Sequence, residues 1–293
     1  MWRPDPTTPV LDEQSFRLLR DLVHRHSGLW FRDDAMYLVE RRLGPRLQAL
    51  GLRDFEAYHQ HLLFSPERAE ELEGAVELLT TNETYLYREP LQLQAFRTEI
   101  LPRVARELAG RRQLRILSAG CSTGEEPYTI AVLVKESRLF AGWDVEIVGA
   151  DLSRRCIAQA KLGAYPESAF RSPEAEVLRP WFELRGGKWI VAEELRRSVR
   201  FVRENLVAPR ALSTVGLLDV VLCRNVLIYF DADARKRALR RLYERMRGGG
   251  WLLLGHSESL LGSTADFELE HLREDLVYRR PAGPVGAGPE DGA

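Results

Sequence analysis

The stretch Leu114-Arg-Ile-Leu-Ser-Ala-Gly-Cys-Ser-Thr-Gly-Glu-Glu-Pro-Tyr128 decides the fold. Its first part, Leu114–Ala119, is a short apolar run of the kind that makes a strand buried on both faces. Small residues follow from Gly120 to Gly124, and Pro127 marks the opening of a helix. Outward from this stretch the pattern repeats. Val145–Ala150 is a second apolar run and closes on Asp151, while Leu218–Cys223 and Trp251–Gly255 are two more. Helix-length segments, 125–139 and 232–247, separate the first two runs and the last two. Such alternation predicts a doubly wound α/β domain, a parallel sheet with helices on both faces.

A strand-to-helix loop of small residues at the carboxyl edge of such a sheet lets a ligand approach the backbone. The loop residues then select among ligands. A phosphate loop needs Gly-Lys-Ser/Thr, whereas Gly124 is followed by Glu125 and Glu126. Two carboxylates at a helix start would repel a triphosphate. A dinucleotide loop needs G-x-G-x-x-G, and here only Gly120 and Gly124 are present. A cationic ligand suits the acidic pair better, and S-adenosylmethionine carries both a sulfonium and an ammonium. Asp151, at the end of the second run, is placed to accept hydrogen bonds from ribose hydroxyls. A nucleoside cofactor is the expectation.

The flanks read differently. Residues about 11–80 are helical throughout: Leu18, Leu19, Leu22 and Val23 share a face, and Phe55, Tyr58, Leu62 and Leu63 keep helical spacing. Ser65-Pro66-Glu67 reads as a cap with proline at the first helical position. Residues 166–202 break the α/β alternation. Around Gly186-Gly187, residues 181–184 and 188–191 resemble the two arms of a hairpin, which predicts a small antiparallel β subdomain. The expected layout is an all-α amino-terminal domain with a linker helix over 1–90, then the α/β domain over 91–280 with its β subdomain inserted at about 166–202. The tail 281–293 is too poor in apolar surface to order itself.

Composition narrows the classes. Hydrophobic residues at 45% and charged residues at 29% are those of a globular protein with a core. A formal net charge of −1 gives no field for nucleic acid or a membrane surface. Cys121, Cys156 and Cys223 are widely spaced and odd in number, which favours a reducing compartment over a disulfide framework. The first residues lack the apolar core of a signal peptide, and no apolar run approaches a bilayer span of roughly 18 residues. His24/His26 and His59/His61 are spaced i, i+2 and point to different sides of a helix, so no metal is expected. A cytoplasmic monomer is the reading.

Four motifs carry a resemblance. They are Thr80-Thr-Asn-Glu-Thr-Tyr-Leu-Tyr-Arg-Glu89, Ser118-Ala-Gly-Cys-Ser-Thr-Gly-Glu-Glu-Pro-Tyr128, Cys223-Arg-Asn-Val-Leu-Ile-Tyr-Phe-Asp231 and Gly255-His-Ser-Glu-Ser259. In this order they resemble the chemotaxis receptor methyltransferase family, CheR, over about residues 12–280. The resemblance implies an all-α domain, a Rossmann-like methyltransferase domain and an inserted β subdomain. It implies transfer of a methyl group from S-adenosylmethionine to receptor glutamates, leaving S-adenosylhomocysteine. It would place Asn82, Thr84, Arg88, Gly120, one of Glu125 and Glu126, Asp151, Asn205, Leu206, Asn225 and Val226 at the cofactor, with Arg88 and Tyr229 beside the methyl group. Arg41, Arg42, Arg46 and Arg53 would grip the acidic cytoplasmic helical domain of a chemoreceptor. The compact turn Leu184-Arg-Gly-Gly-Lys-Trp189 lacks the longer glycine-bearing loop of relatives that tether to a receptor tail peptide, so action without that tether is expected.

The chemistry agrees with a site poor in catalytic bases. A glutamate, with a reference pKa of about 4.3, is already ionised at neutral pH. The enzyme must align a carboxylate oxygen with the methyl–sulfur bond and exclude water. An arginine fork can hold the other oxygen, and a tyrosine hydroxyl can position it.

Overall fold

The computed structural model describes residues 9–264 and 266–283. The described chain divides into two compact units, one of residues up to Asn82 together with Tyr229–Arg235, the other of Glu83–Ile228 and Lys236 onward.

The first unit is built from four helices: α1 (Glu13–Ser27), α2 (Met36–Ala49), α3 (Phe55–Phe64) and α4 (Arg68–Leu79). Asp12 and Asp54 cap α1 and α3 by accepting from the N–H groups of Ser15 and Ala57, which satisfies donors that a helix start otherwise leaves orphaned. Leu19, Val23, Leu43, Leu47, Phe55 and Tyr58 are buried between them. Ser65 ends α3 rather than opening α4, because α4 starts only at Arg68 and carries no side-chain cap. Ser65-Pro66 is thus a turn between helices and not the helix start that the sequence suggests.

The second unit begins with α5 (Pro90–Ala95), a π-helical turn and α6 (Leu101–Glu107), then alternates. Strand β1 (Gln113–Ala119) leads to α7 (Glu125–Ser137), β2 (Asp144–Asp151) and α8 (Arg154–Leu162). A small antiparallel sheet follows from β3 (Ala164–Tyr165), β4 (Phe182–Arg185) and β5 (Lys188–Val191), so the expected hairpin around Gly186-Gly187 is present. After α9 (Glu193–Arg197) come β6 (Val199–Arg203), β7 (Leu218–Cys223), α10 (Ala232–Arg245) and β8 (Met246–Leu254). The chain closes with β9 (Glu268–His271) and β10 (Leu276–Arg279).

The large sheet runs β6-β2-β1-β7-β8-β10-β9; its first five strands are parallel, and β10 is antiparallel to both neighbours. Every residue of β7 is buried, as an apolar run covered on both faces requires. From β1 the chain winds through β2 to β6 on one side, then returns to β7 and β8 on the other. The strand order therefore reverses between β1 and β7, the place where open α/β sheets bind ligands. Strands β3, β6, β9 and β10 have no legible sequence signal: β3 is two residues long, the others are short and carry charges, and β6 joins the large sheet although most of it falls within 166–202. The tail beyond Gly283 lies outside the described residues.

Candidate active site

The expected cofactor residues of the second unit collect at the carboxyl ends of four adjacent strands. Asn205 and Leu206 follow β6, Asp151 ends β2, Gly120 follows β1, and Asn225 and Val226 follow β7. The two loops at the reversal point touch. A Cβ at Gly120 would stand 2.3 Å from Val226 Cγ2, and the residue sits at φ +74°, so only glycine fits. Gly124 is as constrained, at φ +94° with Ala160 Cβ 2.8 Å from where its own Cβ would be. The β1 loop is pinned on β2: Gly120 N–H and Cys121 N–H both donate to Ala150 O.

Asp151 is buried, and its two oxygens accept from Ser122 N–H at 2.8 Å and Ser153 N–H at 2.9 Å. The acidic pair that opens α7 splits. Glu126 accepts from Ser118 Oγ at 2.6 Å and from the Arg224 guanidinium at 3.0 Å. Glu125 is 5% exposed and is held by Thr123 Oγ1 at 2.7 and 2.9 Å, and the nearby Thr84 hydroxyl favours its charged form. Burial pushes the Glu125 carboxyl above the usual range, outweighing those hydrogen bonds. Among the described residues no cation faces it.

The segment bearing Arg88 is fastened to the same edge. Tyr87 N–H donates to Thr129 Oγ1 on α7, and Leu86 N–H to Ala169 O. Arg88 lies over the ring of Tyr85 at 5.8 Å and donates to Glu83 O; it does not pair with Glu89. Glu89 instead accepts from Arg224 at 3.0 Å and from Asn225 Nδ2 at 3.1 Å. Burial opposes ionisation of Glu89, yet Arg224 and Asn225 together hold its carboxyl below the usual range. Arg224 also donates to the carbonyl of Arg88, so one buried guanidinium ties three motifs together. His256 is half exposed, its Nδ1 3.6 Å from Glu89. Arg224, Glu89 and Glu258 stand inside the quoted motifs, but no local spacing marks them, since their partners lie up to 136 residues away.

Asn82 and Tyr229 fall in the first unit. Tyr229 ends a short 3-10 turn, and its carbonyl accepts from Trp30 N–H. The four arginines differ. Arg46 grips Glu71 with two nitrogens, and Arg42 donates to Leu79 O and Thr81 Oγ1. Arg53 pairs with its neighbour Asp54, and Arg41 is exposed.

The description of the CheR methyltransferase SAM-binding domain matches residues 82–275, and that of the CheR all-alpha domain matches residues 14–80. The chain belongs to the CheR methyltransferase family. Chemotaxis protein methyltransferase 2 of Vibrio cholerae is 33% identical over 93% of this chain and 94% of its own length. Chemotaxis protein methyltransferase 1 of Pseudomonas aeruginosa is 32% identical over 90% and 97%. The solved N-methyltransferase NodS of Bradyrhizobium japonicum, in complex with S-adenosyl-L-homocysteine, is 15% identical, covers 67% of this chain and 90% of its own, and has a TM-score of 0.37, too loose a likeness to bear on function. This CheR-family chain is an S-adenosylmethionine-dependent methyltransferase. Among its described residues no helix is long and apolar enough to cross a membrane, and no group of three or more His, Cys, Asp or Glu could hold a metal ion.

The residues fit the cofactor. Asn225 Oδ1 is buried without a hydrogen-bond partner among the described residues, Glu125 is buried without a cation, and Gly120 keeps the loop free of a side chain. Such groups are left wanting by the protein alone.

Proposed function

We propose that this enzyme methylates glutamate side chains in the cytoplasmic helical domain of a chemoreceptor, forming methyl esters, and that it does so in the cytoplasm. The observation that carries the cofactor half is Glu125, a buried carboxylate with no cation of its own at the reversal point of the sheet. In this reading Glu125 holds the amino group of S-adenosylmethionine, while Glu126 is already committed to Ser118 and Arg224. Asp151 accepts from the ribose hydroxyls, and Thr84, Asn205, Leu206, Asn225 and Val226 complete the enclosure; the family likeness adds Asn82. The cofactor supplies an activated methyl group and its own leaving group.

The chain's task is then positional. Arg88 holds one oxygen of the incoming glutamate with its fork of donors, and the family likeness assigns Tyr229 a part in the same transfer. No base is needed for an acid already ionised at neutral pH. A chemotaxis protein as the acceptor is in keeping with the family and the names of its relatives; glutamate as the group methylated rests on the motifs that carry Arg88 and Tyr229. For the receptor, exposed Arg41 and Arg53 are better placed than Arg42 and Arg46, whose guanidinium groups are engaged inside the helical unit. The enzyme acts without binding a receptor tail peptide, in keeping with the tight turn at Gly186-Gly187 between β4 and β5.

Methyl-labelled cofactor with a purified receptor cytoplasmic domain, a nucleic acid and small carboxylic acids as competing acceptors tests the proposal. Label on receptor glutamates is expected. Label on another acceptor, or none on any, overturns it.

A further inference from the structure

The loop after β7 carries Asn225 and Val226, yet its shape is not set by those side chains. Its amides converge. Glu258, which follows β8, reaches back so that its Oε2 accepts from Asn225 N–H at 2.7 Å and Gly255 N–H at 2.8 Å. Its Oε1 accepts from Val226 N–H at 2.9 Å, Leu227 N–H at 2.7 Å and Ile228 N–H at 3.3 Å. Five backbone donors thus meet one carboxylate. Four of them are consecutive, and Asn225 stands in the left-handed region at φ +59°. A run of amides turned inward in this way forms a concavity for an anion, and without one the donors would be orphaned.

The requirement is for a carboxylate in particular. Glutamate presents acceptors only, whereas glutamine would bring an NH₂ group against the same N–H donors. The approach is close as well. A Cβ at Gly255 would lie 2.7 Å from Asn225 Nδ2 and 2.9 Å from Glu258 Oε2, so the residue that opens this turn has to be small. With its amides fixed, the loop has one register. Asn225 Nδ2 then reaches Glu89, and Val226 lies against Gly120.

We propose that Glu258 is the positioning residue of the cofactor site: its carboxylate, acting as a built-in anion, holds the 225–228 loop in the form that receives S-adenosylmethionine. This rests on the reading that Asn225 and Val226 line that site. Glu258 touches neither cofactor nor substrate in this arrangement and acts through the loop.

The test is calorimetric binding of S-adenosylhomocysteine to the full chain, as wild type, Glu258→Gln and Glu258→Ala, with and without acetate. The wild type binds, and both variants lose about tenfold or more in affinity, as expected when hydrogen bonds to a charged group are removed. Acetate restores binding to Glu258→Ala, where its carboxylate can enter the vacated concavity, and not to Glu258→Gln, where the amide fills the space. Rescue of this kind separates a positional role from general loss of stability. Should Glu258→Ala fail to fold, the near-isosteric Glu258→Gln alone decides. Wild-type affinity in Glu258→Gln, or a loss in Glu258→Ala that acetate leaves untouched, overturns the assignment while the cofactor reading stands. No binding by the wild type removes the cofactor reading itself.

Discussion

Two glutamates, one in each unit, are buried to nearly the same degree: Glu71 is 6% exposed and Glu125 is 5%. Their carboxyl groups are shifted in opposite directions. Burial disfavours ionisation of Glu71 too, but the two-nitrogen grip of Arg46 and the Tyr58 hydroxyl at 2.7 Å overcome it and hold the carboxyl low. Glu125 has the Thr123 hydroxyl but no cation among the described residues, and burial wins. A buried carboxylate with its charge answered from within is part of the scaffold. One left unanswered, at the edge where loops meet, is what we propose receives the cationic end of the cofactor.

Substitutions can break or sharpen this contrast. Arg224→Met should have the largest effect, because Glu89 and Glu126 would then join Glu125 as unanswered carboxylates. Breaking a buried pair of this kind costs about 3–5 kcal/mol, read as a fall in the urea midpoint, and methyl transfer should be lost with it. Arg46→Met leaves Glu71 with Tyr58 alone. Since Arg46 is itself 42% exposed, the expected cost is smaller, about 2 kcal/mol in urea unfolding, and cofactor affinity of the folded protein should not change.

Glu125→Gln should behave in the reverse way. Stability is kept or slightly raised, because a desolvated charge is removed, while affinity for S-adenosylhomocysteine falls by about tenfold, or 1.4 kcal/mol. The pH dependence follows from the sign of the shift. A carboxyl raised in the folded state withdraws stability as pH rises through its folded pKa, and an ammonium beside it favours the ionised form. Cofactor affinity should therefore weaken as pH falls through that raised value, with proton release on binding, and Glu125→Gln should abolish both in calorimetry across buffers. Glu71, held low, contributes stability that persists above the ordinary carboxylate range and is lost only as pH falls through its depressed value. Smallest of all, Tyr58→Phe removes one donor to Glu71 and should cost about 1 kcal/mol in unfolding, with methyl transfer unaffected.

The sequence exposes one side of this contrast and hides the other. The loop from Gly120 to Glu126 is legible because its signal is local: strand, small residues, acidic helix start. Which glutamate of the pair is free was not legible, since the answer is Arg224, a partner 98 residues from Glu126. Arg46 and Arg42 looked like a basic face because Glu71 and the Leu79 carbonyl lie 25 and 37 residues away, on and at the end of another helix. Glu258 sits in a motif whose spacing says nothing of the amides it gathers some 30 residues earlier. Short strands such as β9, Glu-Leu-Glu-His with no buried residue, give too little apolar pattern to be read at all.

The most direct measurement is the chemistry of the product. After methyl transfer from labelled cofactor to a chemoreceptor cytoplasmic domain, the isolated receptor is treated with mild base and the volatile fraction counted. Release of the label as methanol is the expected result, since only a carboxyl ester yields it. Label that stays on the receptor through base treatment would mean an amine or another acceptor and would contradict the account.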